Sequence, residues 1–388
     1  MKKITRSLMA LMLVVCMMFS LTGCGKDSAD KDYIATLAKA TEFTKGSSNA
    51  RITVKLDDGK ISELTSGALD IDSIAIIVST QSGKSNENDA QVTLSVNLGG
   101  DDLKLATITS INGDFYFDLS ELKNSLLNRG ISYVSAIASF LPNDNTVVKI
   151  SSDELKQYTE EAAEALEAQG ATTEETDPEA LLAQQKDYNS VVSAFVDTLL
   201  PLFESSFESV EPAVFSKEGN ANAITISSDN YEALARAIYS MLTSADFTTK
   251  LDEFSTSVSS KGVSEDLTSE ISKAVASVKE EISKLDSTKF EEELTKLKED
   301  LQKNNVTFNL KSTDEIKGKK AGSREFNLTA SASVTANEIG TIVIDYTASA
   351  KEGDTADFTA PANAVSVDDF VKSVQESLGA LYNTNSQE

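Results

Sequence analysis

Segments in which apolar and polar residues alternate strictly constrain the fold of this chain more than any other feature. The clearest is Ala90–Leu98, where alanine, valine and leucine alternate with glutamine, threonine, serine and asparagine. Successive side chains of a β-strand point to opposite faces, so this pattern predicts a strand with one apolar face and one polar face. Further segments of this kind follow one another near residues 50–119 and near 305–359. Such runs of strands predict an antiparallel sheet that keeps one face in water.

One tight turn within the first strand region is predicted by a dipeptide. Asn112 and Gly113 separate the alternating segments 103–111 and 115–119. Asn-Gly favours a two-residue hairpin, because both central residues of that turn adopt positive φ. We therefore predict that these two segments pair antiparallel.

The middle of the chain, about residues 120–303, is predicted to be helical, with short strands near 147–150 and 213–227. Its longest helical pattern spans 264–303, and the phase of that pattern breaks near 286–288. There Thr288 and Glu291 have the spacing of a helix N-cap, which predicts two packed helices instead of one rod. A C-terminal helix is predicted at about 366–381.

Together these patterns predict an α+β fold. Its antiparallel sheet packs against several amphipathic helices, and a helical insertion separates the two strand regions. A curved sheet of this kind would leave a hydrophobic cavity between sheet and helices. If the sheet is not curved, the same faces simply form a filled core.

The first 24 residues have the composition of an export signal. A short basic segment precedes an apolar run of about fourteen residues at 8–21. A membrane-spanning helix needs about 20 apolar residues, so this run is too short for a span. An ordinary secretory signal would leave Cys24 as a free thiol, and that alternative stays open.

The end of the apolar run resembles the lipobox of bacterial lipoproteins, with the residues Leu21, Thr22, Gly23 and Cys24. The resemblance implies that a signal peptidase recognises Leu21, Thr22 and Gly23, and that residues 1–23 are removed as a signal peptide. Cys24 would carry a thioether-linked diacylglycerol, and acyl chains such as palmitate would hold the protein at the extracytoplasmic face of the membrane. Residues 24–31 would form a tether, and residues 32–388 the folded body of this cell-envelope lipoprotein.

Charge and composition exclude several classes of function. Removal of Lys2, Lys3 and Arg6 with the signal leaves 32 basic residues against 61 acidic ones, a net charge of −29. Such a surface repels nucleic acid and anionic lipid headgroups, so we expect no nucleic-acid partner and a membrane contact made by acyl chains.

The sequence also lacks the residues that most catalytic and metal sites use. It contains no histidine, and Cys24 is the one cysteine outside the signal segment. Imidazole bases, zinc clusters and disulfides are therefore not expected. Clusters of acidic and amide residues at 86–89, 143–145 and 368–369 do not match a calcium-binding loop. We expect no enzyme activity, no catalytic residue, no cofactor and no metal.

The order of elements resembles that of the LolA/LolB-like carriers. Two short runs, at 67–72 and 111–117, are similar to segments of poorly characterised lipoproteins in that superfamily. The resemblance implies an unclosed, half-barrel-like sheet with helices across its concave side, and a lipid or another apolar molecule as ligand.

Two hypotheses on function remain. The first is a membrane-anchored protein that binds a lipid or other apolar ligand in a cavity between sheet and helices. The second is a non-enzymatic interaction or structural lipoprotein without a cavity, whose partner is another envelope protein. A solute-binding protein with two lobes of alternating strands and helices is disfavoured, because the strands here come in runs.

Overall fold

The computed structural model describes residues 45–56, 71–127, 141–142, 146–155 and 190–384, except for positions 87, 101, 192, 196, 319, 321, 338 and 339. Residues 36, 157 and 187 are also described. The predicted signal peptide at 1–23 and tether at 24–31 lie outside the described residues. Apolar residues at helical spacing also predict a helix at 32–45, and polar composition predicts a linker at 170–177. Most of the first segment and all of the second lie outside the described residues as well.

The described residues contain twelve strands and seven helices. The strands are β1 (Gly46–Leu56), β2 (Ser73–Gly83), β3 (Ala90–Leu98), β4 (Asp102–Ile111), β5 (Asp114–Asp118), β6 (Val147–Ile150), β7 (Phe215–Glu218), β8 (Ala221–Ser227), β9 (Thr307–Lys317), β10 (Glu325–Ala336), β11 (Gly340–Glu352) and β12 (Thr355–Ala356). The helices are α1 (Ser120–Leu127), α2 (Leu200–Phe207), α3 (Tyr231–Leu242), α4 (Ala245–Ser260), α5 (Glu265–Ser283), α6 (Ser287–Lys303) and α7 (Val367–Thr384).

The strands form one open sheet, in the order β6-β5-β4-β3-β2-β1-β11-β10-β9-β8-β7, and β12 adds to β2 in parallel. Every other pairing with a defined register among the described strands is antiparallel. The predicted α+β class, an open antiparallel sheet with several helices, is confirmed. The short strands predicted near 147–150 and 213–227 are β6, β7 and β8.

The hairpin between β4 and β5 forms at the predicted turn. Ile111 pairs with Asp114, and the two residues between them have positive φ, 53° at Asn112 and 90° at Gly113. A glycine reaches this conformation without strain because it has no Cβ atom. The turn thus sets the register of the two strands, as the dipeptide predicted.

The long helical pattern breaks where it was predicted to, but its cap was assigned to the wrong residue. The α6 helix begins at Ser287, and the Asp286 carboxylate accepts a 2.9 Å hydrogen bond from the backbone N–H of Lys289. Thr288 lies within the first turn of α6 and does not cap it. Aspartate in extended backbone just before a helix is a strong N-cap, which explains the shift of two positions.

The chain divides into two compact units. The first comprises residues 1–42, 175–316 and 326–343, and the second comprises residues 43–174, 317–325 and 344–388. In the first unit, Tyr231 and Ala235 of α3 pack against Leu294 of α6, and all three side chains are buried. Burial of this apolar surface holds α6 against α3.

In the second unit, β1 to β5 follow one another as an antiparallel meander. The α1 helix packs against β4, and α7 lies beside β6. A capping box starts the short helical turn after β6, where the backbone N–H of Ser151 donates to the Glu154 carboxylate at 2.8 Å. This meander carries the candidate functional site described below.

Candidate functional site

The registers of β1, β2 and β3 place aliphatic side chains next to one another on one face of the second unit. Ile52 of β1 lies opposite Ile76 of β2, and Ile76 lies opposite Val96 of β3. The same face includes two further cross-strand pairs, Val54 with Ile74 and Val78 with Leu94. We call this surface the aliphatic face, and it consists of Ile52, Val54, Ile74, Ile76, Val78, Leu94 and Val96.

Much of the aliphatic face is in contact with solvent. Ile76 is 54% exposed, Ile52 is 48%, Leu94 is 38% and Val54 is 37%. On β11, the neighbour of β1 in the strand order, Ile344 is 45% exposed. Isolated exposed apolar residues are ordinary, but a contiguous patch of them marks a site for a ligand or a partner.

The opposite face of these strands is polar, and its side chains bond to one another. Thr93 and Thr107 hydroxyls lie 3.3 Å apart, the Gln91 amide donates to Thr109 at 3.1 Å, and the Asn49 amide donates to Ser79 at 2.7 Å. Thr107 and Thr109 are buried, whereas the bond between Asn49 and Ser79 lies in solvent.

Residues at the centre of the polar face are therefore less exposed than those of the aliphatic face. Ile77 follows Ile76 in β2, points to the polar face and is only 6% exposed. Alternation predicted which residues share a face, and the expectation that the polar face is the wetter one is wrong for these strands. The polar face is thus the covered side of these strands, and the aliphatic side chains of the other face are left uncovered.

Two aspartates of the polar face are held in their charged forms by neighbouring groups. A hydrogen bond from the Asn97 amide, together with the Arg51 guanidinium at 3.0 Å, lowers the pKa of Asp102 despite its partial desolvation. A hydrogen bond from Lys149 at 2.6 Å lowers the pKa of Asp114. Charge thus collects on the polar face, and the aliphatic face contains no ionisable side chain.

A buried ion pair lies where β10 begins and β11 ends. The Arg324 guanidinium donates to Glu352 through two nitrogens, at 2.8 and 3.0 Å, and both side chains are largely buried. This bidentate contact lowers the pKa of Glu352 from 4.5 to about 2. The pair is a structural link within the second unit and has no solvent-facing reactive group.

The residues that the sequence singled out as a modification site are not part of this surface. Leu21, Thr22, Gly23 and Cys24 lie outside the described residues, so their predicted roles stay predictions. Within the part of the chain that the structure describes, no helix is long and apolar enough to cross a membrane. No group of three or more cysteine, aspartate or glutamate side chains in that part could hold a metal ion.

Sequence reasoning did not single out any ligand-contacting residue in the folded body. Alternation identified Val92, Leu94 and Val96 as one apolar face, but the other strands predicted from alternation have such a face as well. No local signal distinguishes a face that will be covered from one that will stay open, because this depends on what packs against it.

In comparisons with protein-family models, characterised proteins and solved structures, no match to this chain was found.

Proposed function

We propose that this protein is a lipid-anchored extracytoplasmic lipoprotein that binds an acyl chain on its aliphatic face. The observation that carries the proposal is the exposure of Ile52, Val54, Ile76 and Leu94 on one face of three paired strands. An acyl chain laid across these residues would cover surface that is otherwise in water, and the resulting free energy would drive binding.

An acyl chain fits this surface better than other apolar ligands do. Every member of the aliphatic face is isoleucine, valine or leucine, so the face offers contact area but no aromatic ring for stacking. It also has no charged or polar group to recognise a headgroup. We therefore propose recognition of the hydrocarbon alone, with the headgroup left in water.

The proposed anchor agrees with this role. The folded body has a net charge of −29 and would be repelled by an anionic membrane. Acyl chains on Cys24 would hold it at the membrane despite this repulsion. A protein anchored in this way lies next to membrane lipids, whereas its negative charge repels nucleic acid. We propose no catalytic role, no metal and no cofactor for this protein.

The proposal is tested with neutral monoacylglycerols of eight, ten and twelve carbons and the full-length Cys24→Ala chain, which lacks its own acyl chains. Each added methylene that becomes buried contributes about 0.8 kcal/mol, so affinity should rise about four-fold per methylene. Calorimetric titration measures this series. Binding that is independent of chain length, or no binding, would contradict the proposal.

A matched pair of substitutions locates the site. Val54→Asn places an amide on the aliphatic face and should weaken binding about ten-fold, whereas Val334→Asn makes the same change at an exposed valine of β10 and should leave binding unchanged. Equal effects of the two substitutions would show that the acyl chain binds elsewhere. Recovery of a bound envelope protein, with no acyl-chain binding, would favour the interaction hypothesis instead.

A further inference from the structure

A concavity of about 380 Å³ lies on the second unit and is lined almost entirely by polar groups. Six of its side chains form two rows across β1, β2 and β3, since Asn49 pairs with Ser79 and Ser79 with Thr93, while Ser47 pairs with Gln81 and Gln81 with Gln91. These rows belong to the polar face, on the other side of the sheet from the aliphatic face. We call this concavity the polar pocket.

The side chains of the polar pocket are held in place by the sheet itself. The Asn49 amide donates to Ser79, the Gln91 amide donates to Thr109, and the Ser47 hydroxyl donates to Asp354 at 2.7 Å. A ligand would therefore meet groups that are already oriented, and little side-chain freedom would be lost on binding.

These internal bonds leave hydrogen-bonding capacity for a ligand. Asn49 and Gln91 each keep a carbonyl oxygen as an acceptor, and the Ser79 hydroxyl keeps its proton as a donor. Within the described residues the Gln81 amide has no hydrogen-bond partner and the Lys351 ammonium has no ion pair. The lining of the pocket thus offers both donors and acceptors.

The charge and lining of the pocket narrow the class of ligand. Apart from Ala350, the lining side chains are all polar, so the pocket offers little to hydrocarbon. The lining contains one cation, Lys351, and two carboxylates, Glu325 and Asp354, so an anionic ligand would gain little electrostatic attraction. Hydroxyl groups both donate and accept, and a ligand rich in them would match a lining that offers both donors and acceptors.

We propose that the polar pocket binds a neutral oligosaccharide. The volume of the pocket lies in the range of small-molecule sites, and its open side would let a glycan chain continue along the sheet. No aromatic ring lines the pocket, so affinity would come from hydrogen bonds alone and would be weak. The six side chains of the two rows lie on the opposite face of these strands from the acyl-chain site, so the two sites can be tested separately.

The test titrates the full-length chain with maltotetraose and with tetra-N-acetylchitotetraose, and saturation-transfer NMR detects binding. At least one of the two glycans should bind saturably. The substitution Gln81→Leu, which keeps the size of the side chain, should weaken binding about three- to ten-fold, the effect of one lost neutral hydrogen bond.

Two further variants make the result decisive. Gln302→Leu makes the same substitution at an exposed glutamine of α6 and should leave glycan binding unchanged. If Gln81→Leu does not fold, Lys351→Met tests the pocket at an exposed position and should also weaken binding. No binding of either glycan, equal effects of the two glutamine substitutions, or stronger binding of a neutral serine-glycine peptide would overturn the proposal.

Discussion

Two neighbouring isoleucines in β2 offer a sharp test of the exposed aliphatic face. Ile76 is 54% exposed on that face, and Ile77 is 6% exposed on the polar face. Replacement of isoleucine by alanine removes three carbon groups, worth about 2.4 kcal/mol in total when fully buried. Because about half of Ile76 is already in water, Ile76→Ala should lower the free energy of unfolding by about 1.1 kcal/mol.

The two positions should respond in opposite ways in stability and in binding. Ile77→Ala loses nearly the full transfer free energy and leaves a cavity, so its cost should be about 2–5 kcal/mol. A bound acyl chain would cover the exposed half of Ile76, so Ile76→Ala should weaken acyl-chain binding by about 1.3 kcal/mol, or nine-fold. Ile77→Ala should leave that affinity nearly unchanged, because Ile77 does not reach the aliphatic face.

Urea denaturation followed by circular dichroism measures the two losses of stability, and titration with the twelve-carbon monoacylglycerol measures the two affinities. Equal stability losses for the two variants would mean that the aliphatic face is covered in solution. An affinity that falls for Ile77→Ala but not for Ile76→Ala would refute the proposed location of the acyl chain.

Three further predictions concern packing, pH dependence and anchoring. Leu294→Ala, at a side chain only 3% exposed, should destabilise the first unit by about 2–5 kcal/mol in urea denaturation, and Leu285→Ala, at 43% exposure, should cost less. The pKa of Glu352 is about 2 in the folded protein, against an ordinary value of 4.5. Its ion pair with Arg324 therefore stabilises the fold fully above pH 4.5, and this contribution is lost as the pH falls toward 2. In urea titrations from pH 6 to pH 2.5, Glu352→Gln should lower stability at pH 6 and flatten its decline; an unchanged slope would contradict the assignment. Cys24→Ala should abolish attachment of the diacylglycerol, and mass spectrometry of the N-terminal peptide should show that this mass is lost. A Cys24 peptide without lipid in the parent protein would refute the anchor.

Local patterns in the sequence predicted several of the strands and helices that the structure describes. The period of two in Ala90–Leu98 and the turn dipeptide at Asn112 and Gly113 both predicted structure that is observed. These features depend on neighbours within a few residues, so the chain alone specifies them. The cap of α6 was misassigned because Asp286 and Thr288 are both good capping residues, and only the observed backbone distinguishes them.

The sequence by itself therefore determined the α+β class, the members of each strand face, the strongly acidic charge and the absence of histidine. Only the tertiary structure decided which faces are open. Ile76 and Ile77 are neighbouring isoleucines of β2, yet Ile76 is half exposed and Ile77 is buried. The polar pocket likewise exists only because register brings Asn49, Ser79 and Thr93 side by side from three strands. What covers a face depends on residues far apart in the chain, so alternation within a single strand shows which residues share a face but not whether that face is open.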